Sequence, residues 1–496
     1  MLFRSTDRGD SWTVFSPDLT HCDPAQLGPS GGPITHDNTN AETYCTIYSI
    51  GEDASGPQAV WYGTDNGHLE VTRDGGRTWN DVIRNVAGLP LPARVTSISP
   101  SVSQAGVAYA AFDRHQWNDY GTYAYVTRDY GKTWRAIGAG LAGYVHVVRE
   151  DPHNANVLYA GTERGIFVSF DSGASWSDLR LGMPHVPVYD LQIHPRDNDL
   201  ILGTHGRGFY ILDDLTPLQQ WAHTSTAAYL YAPVPAVRYS DAAYHEHGRG
   251  AFVSENKPYG ALLSLYLAQA PAPARKGAKP AVHVRVLDSS GAQIDAFDTD
   301  VHAGLNRFAW DLRTQLQPAP TQDARSYYIF YPMTIAGPQV LPGTYTVEVQ
   351  AAGQTLRAPV HVLLDPHNDA TTAQLQAQYD ALMTLARVQA KAEADVAALM
   401  DIRKTMSQGK RAAAVQLLSR VDASLDDLRN SEPSGYRRPA KLTEQVAYLR
   451  SIIDAYDGPP TAPQRELIEQ FTQQGNRIDG EVNAIEAAFK QMQGAR

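Results

Sequence analysis

One octapeptide pattern, Ser/Thr-x-Asp-x-Gly-x-Ser/Thr-Trp, occurs four times in the first 176 residues of this 496-residue chain. The copies run from Ser5 to Trp12, Thr72 to Trp79, Thr127 to Trp134 and Ser169 to Trp176. Each carries an aspartate (Asp7, Asp74, Asp129, Asp171), a glycine two residues on and a closing tryptophan. A single match is weak evidence. Four, each after a short apolar run, mark a repeated supersecondary unit. The residue types predict a hairpin turn. The carboxylate accepts N–H bonds from its own turn, and the glycine takes a backbone conformation that a side chain opposes. The tryptophan is expected to bury its ring between neighbouring sheets with its N–H partnered. The repeated aspartates therefore read as structural, since four equivalent positions cannot all be one active site. One carboxylate per copy gives no support for a bound calcium.

The intervals between these aspartates are 67, 55 and 42 residues. A four-stranded propeller blade takes about 40–45 residues, so the excess measures inserted loops. The first interval carries QLGPSGGPITHDNTNAE and the second AFDRHQWNDYGTY. The third is nearly bare: a strand, a DPHN turn, VLYAGT, a turn at Arg164-Gly165, IFVSF, then the octapeptide. The same grammar recurs over residues 188–214 without it. The expectation is a partial β-propeller of about four and a half blades over residues 1–222. Only one short strand, Leu2 to Arg4, fits ahead of the first copy. The chain is thus expected to open in mid-blade as the C-terminal part of a longer protein, with any export signal on the lost segment. Its partner would then be the missing propeller half, or a further copy of itself.

Beyond residue 222 the grammar changes. Residues 223–258 read as a Pro-containing connector. Residues 259–365 alternate as strands separated by turn signals at Ser290-Gly291, Pro342-Gly343 and Ala352-Gly353, the pattern of an immunoglobulin-like (FlgD-like) β-sandwich with Trp310 in its core. Residues 271–281, PAPARKGAKPA, read as a linker between strands. From 366 to 496 the strands stop and an α-helical bundle is expected. Its helices lie near 371–406, 410–429, 441–456 and 464–492. Leu375, Tyr379, Leu382 and Leu385 share one face, and Thr461 with Gln464 forms a capping box. The overall class is mainly β with a helical C-terminus.

A net charge of −11 and the absence of any Lys/Arg run argue against nucleic acid as a partner. No stretch of 18 apolar residues predicts a transmembrane helix. Cys22 and Cys45 are the only cysteines. They are either two free thiols or one disulfide tying the loop to a strand start.

Candidate chemistry lies in the inserted loops. Asp65 falls in the turn GTDNG, while Asp113, His115 and Asp119 crowd FDRHQWNDYG, and Asp190 follows Tyr189 on a strand. A glycosidase needs two carboxyl groups across a cleft, and Asp65, Asp113 and Asp119 (with His115) are the candidates. Each reads first as a turn or solvated residue. Trp117, Tyr120 and Tyr123 read as sugar-stacking or blade-packing aromatics. His205 and Arg207, in GTHGRGF, read as ligand contacts at a propeller rim or as a tight glycine turn. No Gly-x-Ser-x-Gly elbow supports serine chemistry. No HExxH or Cys/His cluster supports zinc. Neither a metal nor a cofactor is expected.

The octapeptide is similar to the Asp-box of bacterial neuraminidase repeats. The runs GPSGGPITHDNTNAETYCTIYSIGED, FDRHQWNDYGTYAYVTRDYGKTW, YAGTERGIFVSFDSGASW, GTHGRGFYILDD, AGLNRFAWDLR and LPGTYTVEV resemble the large bacterial sortilin-like (VPS10-type) repeat proteins, often labelled glycosyl hydrolases. The resemblance covers essentially the whole chain. It implies an exported (periplasmic or secreted) protein with Asp-box propellers ahead of an Ig-like domain and terminal helices, in a family about twice this length. Fold kinship does not transfer chemistry. The leading expectation is an exported scaffold binding a glycan or polypeptide. The alternatives are a sialidase- or xyloglucanase-like glycoside hydrolase sharing its cleft with a missing propeller, and a sortilin-like peptide receptor.

Overall fold

The computed structural model describes residues 1–28, 35, 44–179, 182–221, 226–239, 257–315, 337–406, 412–430 and 439–494. Most of the Gly/Pro/Asn-rich loop and residues 240–256 of the expected connector lie outside these. The chain divides into two compact units, Met1–Ala222 and His223–Arg496.

In the first unit the octapeptides join the last two strands of successive antiparallel meanders. A two-stranded hairpin comes first, β1 (Phe3–Arg4) and β2 (Thr13–Val14). The next sheet is β3 (Ile47–Glu52), β4 (Val60–Thr64), β5 (Leu69–Thr72) and β6 (Asn80–Asp81). It is followed by β7 (Arg94–Pro100), β8 (Ala108–Arg114), β9 (Asp119–Thr127) and β10 (Arg135–Ala136). The third four-stranded sheet is β11 (Val145–Glu150), β12 (Leu158–Thr162), β13 (Gly165–Ser169) and β14 (Ser177–Asp178). The last, β15 (Val188–Ile193), β16 (Leu200–Thr204) and β17 (Phe209–Leu212), has three strands and no octapeptide. The short helix α1 (Thr216–Gln219) follows.

Both faces of the middle sheets are buried, which explains why β4, β5, β12 and β13 are buried along their whole length. Side chains alternate between faces along a strand. On β8, Ala108, Ala110 and Phe112 pack with Trp61 and Val71 of the preceding sheet. The intervening Tyr109 and Ala111 pack with Val148, Leu158 and Phe167 of the next. On β12 and β13, Tyr159, Ile166 and Val168 turn the other way, toward Leu191 and Leu202.

Each octapeptide closes on itself. In the second, Asp74 accepts from Thr78 N at 3.0 Å and from the Thr78 hydroxyl at 2.7 Å. The Thr72 hydroxyl donates to Asp74 at 2.9 Å and accepts from Gly76 N at 3.0 Å. Asp7, Asp129 and Asp171 repeat this pattern with Ser11, Thr133 and Ser175. These bonds hold all four carboxyls below the usual carboxylate range, Asp7 and Asp74 at about 2. The tryptophans are less uniform than expected. Trp79 is half-buried against Phe15 and Tyr62, and Trp134 meets Trp61 edge-on. Trp12, in the two-stranded hairpin, is 62% exposed. The indole N–H of Trp12 and Trp79 donates to the glycine carbonyl of its own turn, and that of Trp176 to Ile137 O. Among the described residues the buried indole N–H of Trp134 has no hydrogen-bond partner, against the expectation that each is satisfied.

The second unit opens with β18 (Ala228–Leu230) and β19 (Ala236–Arg238), followed by β20 (Ala261–Leu267), β21 (Ala281–Leu287), β22 (Gln293–Asp300), β23 (Gly304–Trp310), β24 (Gly343–Ala351) and β25 (Gln354–Leu364). They form two sheets, β18-β20-β23 and β19-β25-β24-β21-β22. Leu263, Leu265, Val284, Val286, Trp310, Val347 and Val360 fill the core between them. The segment read as a connector thus supplies a strand to each sheet, β19 pairing parallel with β25. Three-residue strands among prolines leave no periodicity to read. Among the described residues four helices follow: α2 (Thr372–Met406), α3 (Ala412–Leu428), α4 (Leu442–Asp454) and α5 (Ala462–Gly494). Leu382, Leu385, Leu399, Val421, Val446, Ile453, Ile478 and Ile485 form their common core. Thr461 and Gln464 cap α5 reciprocally. Among the described residues no helix is long and apolar enough to cross a membrane.

Candidate functional site

The first strand of every complete meander carries one extra residue. Pairing slips between Ile47 and Ser49, Val95 and Ser97, Val145 and Val147, and Val188 and Asp190. The bulged residues are Tyr48, Thr96, His146 and Tyr189. A bulge re-aims a side chain and recurs near functional sites. The second strands end at matching places, so Asp65, Asp113, Glu163 and His205 are also equivalent. Asp65 N donates to Thr46 O, Glu163 N to Tyr144 O and His205 N to Pro187 O, while Asp113 pairs with Arg94.

These positions assemble a row of rings across three sheets. His115 stacks on Tyr144 at 5.1 Å and 18°. Tyr144 meets His146 edge-on at 5.2 Å, and His146 stacks on Tyr189 at 4.0 Å and 22°. Tyr189 reaches His205 at 5.2 Å. Tyr120, exposed, lies 6.4 Å from Tyr144. Carboxylates fix the imidazoles: buried Asp113 accepts from His115 N at 2.8 Å and meets its Nδ1 at 2.5 Å, and Glu163 meets His146 Nε2 at 3.1 Å. Asp190 ion-pairs with Arg149.

Burial governs the protonation of the row. It holds the His146 imidazole below its ordinary value, against the opposing pull of Glu163. It pushes the Tyr144 hydroxyl up, helped by the hydrogen bond and charge of Glu163, and raises Tyr189 in the same direction. The row therefore presents His146 held toward its neutral form and neutral tyrosine rings, backed by acidic groups. Such a surface suits a ligand that offers hydrogen-bond donors or positive charge.

The candidates named from sequence divide into two groups. Asp113, His115, Tyr120 and His205 join the row. Asp65 sits at the equivalent place on the first complete sheet, buried, and accepts from Thr46 N at 2.7 Å. Arg207 is exposed in the turn between β16 and β17. Asp119 is tied to Arg114, Tyr123 and Gly121 N. The Arg114 contact, chiefly, holds its carboxyl low, which suits a fixed anion and not a general acid. The Arg114 guanidinium also lies over the Trp117 ring at 5.7 Å. Tyr144, His146 and Glu163 went unrecognised in the sequence, although Gly-Thr-Asp65, Gly-Thr-Glu163 and Gly-Thr-His205 share a visible frame.

No protein-family model matches the chain, and no curated protein matches it. Solved structures similar to parts of it include YCF48 bound to D1 peptide, at 20% identity over 34% of this chain and 51% of that one, with a TM-score of 0.26. YCF48 from Cyanidioschyzon merolae is 17% identical over 34% of this chain and 62% of that one, with a TM-score of 0.23. The Niastella koreensis GH74 enzyme is 15% identical over 55% of this chain and 33% of that one, with a TM-score of 0.27. The chain thus spans about half to three fifths of the length of the YCF48 structures it matches. Overlaps this loose leave the site to be read from its own residues.

Proposed function

We propose that the first unit is a partial Asp-box β-propeller of about four and a half blades, and that its ring row binds a polypeptide. The sandwich (259–365) and the helices (366–496) are accessory domains. The protein is a scaffold of the sortilin-like kind, working outside the cytoplasm. The observation that carries the binding reading is the continuous row from His115 through Tyr144, His146 and Tyr189 to His205. Two of its contacts are face-to-face stacks, His115 on Tyr144 and His146 on Tyr189, which leaves fewer open ring faces for a sugar. Their carboxylate backing favours a peptide bearing Lys or Arg. Export is supported by the Cys22–Cys45 disulfide, a bond that persists in oxidising compartments.

The test is direct binding of the full chain to a defined peptide library and a glycan array, with Tyr189→Ala and His205→Ala alongside. Basic peptides should bind, and each substitution should weaken binding at least about tenfold. Glycan binding without peptide binding would replace the ligand class. Binding indifferent to both substitutions would remove the row from the reading.

A further inference from the structure

A second cluster of chemically competent side chains lies outside the ring row. His68 and Glu70 are two residues apart on the approach to and body of β5, so they share one face of the sheet. Asp81, on β6, is the direct cross-strand partner of Glu70 and brings its carboxylate to the same face. One ligand atom from each of His68, Glu70 and Asp81 lies within 4.8 Å of the others. His21 closes the group from the loop after β2. Its Nε2 is 2.8 Å from Glu70 Oε1, and its ring is 4.8 Å from that of His68.

We propose that His21, His68, Glu70 and Asp81 form a binding site for one first-row divalent ion of the zinc type. Two imidazoles and two carboxylates are a donor set suited to zinc. A zinc ion bound at about 2.1 Å needs its ligands roughly 3.4 Å apart in a tetrahedron. His68 Nδ1 and Asp81 Oδ2 already stand at 3.3 Å. From a present spacing of up to 4.8 Å, His68, Glu70 and Asp81 close on the ion by side-chain rotation, and the His21 ring turns from its 2.8 Å contact with Glu70 to join them.

Three features mark the place as built. Glu70 is buried, with 5% of its side chain exposed, and a carboxylate so placed needs a positive partner. Among the described residues no Lys or Arg pairs with it; the ring that does is His21. Further, the chain fixes His21 from both sides. Tyr62 donates to Leu19 O at 2.9 Å, Asn66 donates to Thr20 O at 2.9 Å, and Cys22 is bonded to Cys45. The backbone of His21 is left-handed, at φ 45°, a conformation that costs energy and persists only where its surroundings impose it. Asp81 is oriented as metal ligands usually are: one carboxylate oxygen accepts from Ile83 N at 3.0 Å, leaving the other toward His68. The ion would pin the disulfide loop to the first complete sheet.

The experiment uses the full chain with its disulfide intact, stripped by chelator and titrated with Zn(II) in a calorimeter. His21→Ala, His68→Ala and Asp81→Asn are run beside it, and circular dichroism confirms the fold of each. One equivalent should bind the wild-type chain, and each substitution should weaken it at least about tenfold. Co(II) in place of zinc should give the visible absorption of a tetrahedral nitrogen–oxygen site. No saturable single site in the wild-type chain overturns the proposal, as does equal binding by the variants or displacement by equimolar Ca(II). If His68→Ala does not fold, the more exposed Asp81→Asn decides the question.

Discussion

His146 and Tyr189 occupy the same bulged position on the first strands of successive sheets, and their rings stack at 4.0 Å with 22° between the planes. The extra residue of one sheet thus meets the extra residue of the next. That contact links the local irregularity of a strand to a surface running across several sheets.

A pH dependence follows from His146. Burial holds its imidazole below the usual 6.5. In the unfolded chain it titrates normally, so the unfolded state takes up a proton first as pH falls. Its contribution to stability is present above 6.5 and lost as pH drops toward the lower folded value. Melting curves of the wild-type chain and His146→Gln, taken between about pH 7.5 and pH 5, should show the larger loss of Tm in the wild type. Parallel losses would mean that His146 is not the titrating group.

The turn glycines should differ in their sensitivity. Gly76 has φ +86°, and a Cβ there would run into the carbonyl oxygen of Phe15. Gly9 has φ +100°, but its nearest neighbour would be Trp12 Cζ2 at 3.9 Å. Gly9→Ala should cost about 1 kcal/mol for the backbone conformation alone. Gly76→Ala must also move a backbone segment and should cost at least about 2 kcal/mol more. Urea unfolding of the two variants checks the order.

The difference between what could and could not be read in the sequence has a physical origin. The octapeptide was legible because its hydrogen bonds stay within eight residues, as those of Asp74 with Thr72 and Thr78 do. The four long helices were legible through their 3.6-residue periodicity, down to the cap at Thr461 and Gln464. The ring row joins residues tens of positions apart. His146 is hidden in VHVVRE, which reads as plain strand, and Glu163 adjoins a turn that accounts for it locally. Strand β19 was missed because its three residues lie in a proline-rich stretch.

Arg238, on that overlooked strand, joins the sandwich to the helices. Its guanidinium donates to Val340 O at 3.1 Å, to Gln378 of α2 at 3.0 Å and to Asp457 at 2.7 Å, and the Arg–Asp pair is almost wholly buried. Arg238→Met leaves a buried carboxylate uncompensated and should cost about 3–5 kcal/mol. Adding Asp457→Asn should recover part of that loss, because the orphaned charge is gone. A double-substitution cycle in urea checks both, and full additivity would deny the coupling.

The helical bundle carries a titrating group of opposite sign. Burial pushes the Asp395 carboxyl from its usual 3.8 up to about 6, aided by the charges of Asp479 and Glu486 on α5 and opposed by Lys391. The folded bundle therefore prefers the protonated acid. Its contribution is fully present below 3.8 and is lost as pH rises through about 6. Above that value the fold carries a half-screened anion among like charges. Asp395→Asn keeps the shape and removes the ionisation, so it should raise Tm at about pH 7.5 and leave it nearly unchanged at about pH 4. Differential scanning calorimetry at the two pH values checks the sign, and a variant less stable than the wild type at the higher pH would show that the Asp395 anion is stabilising.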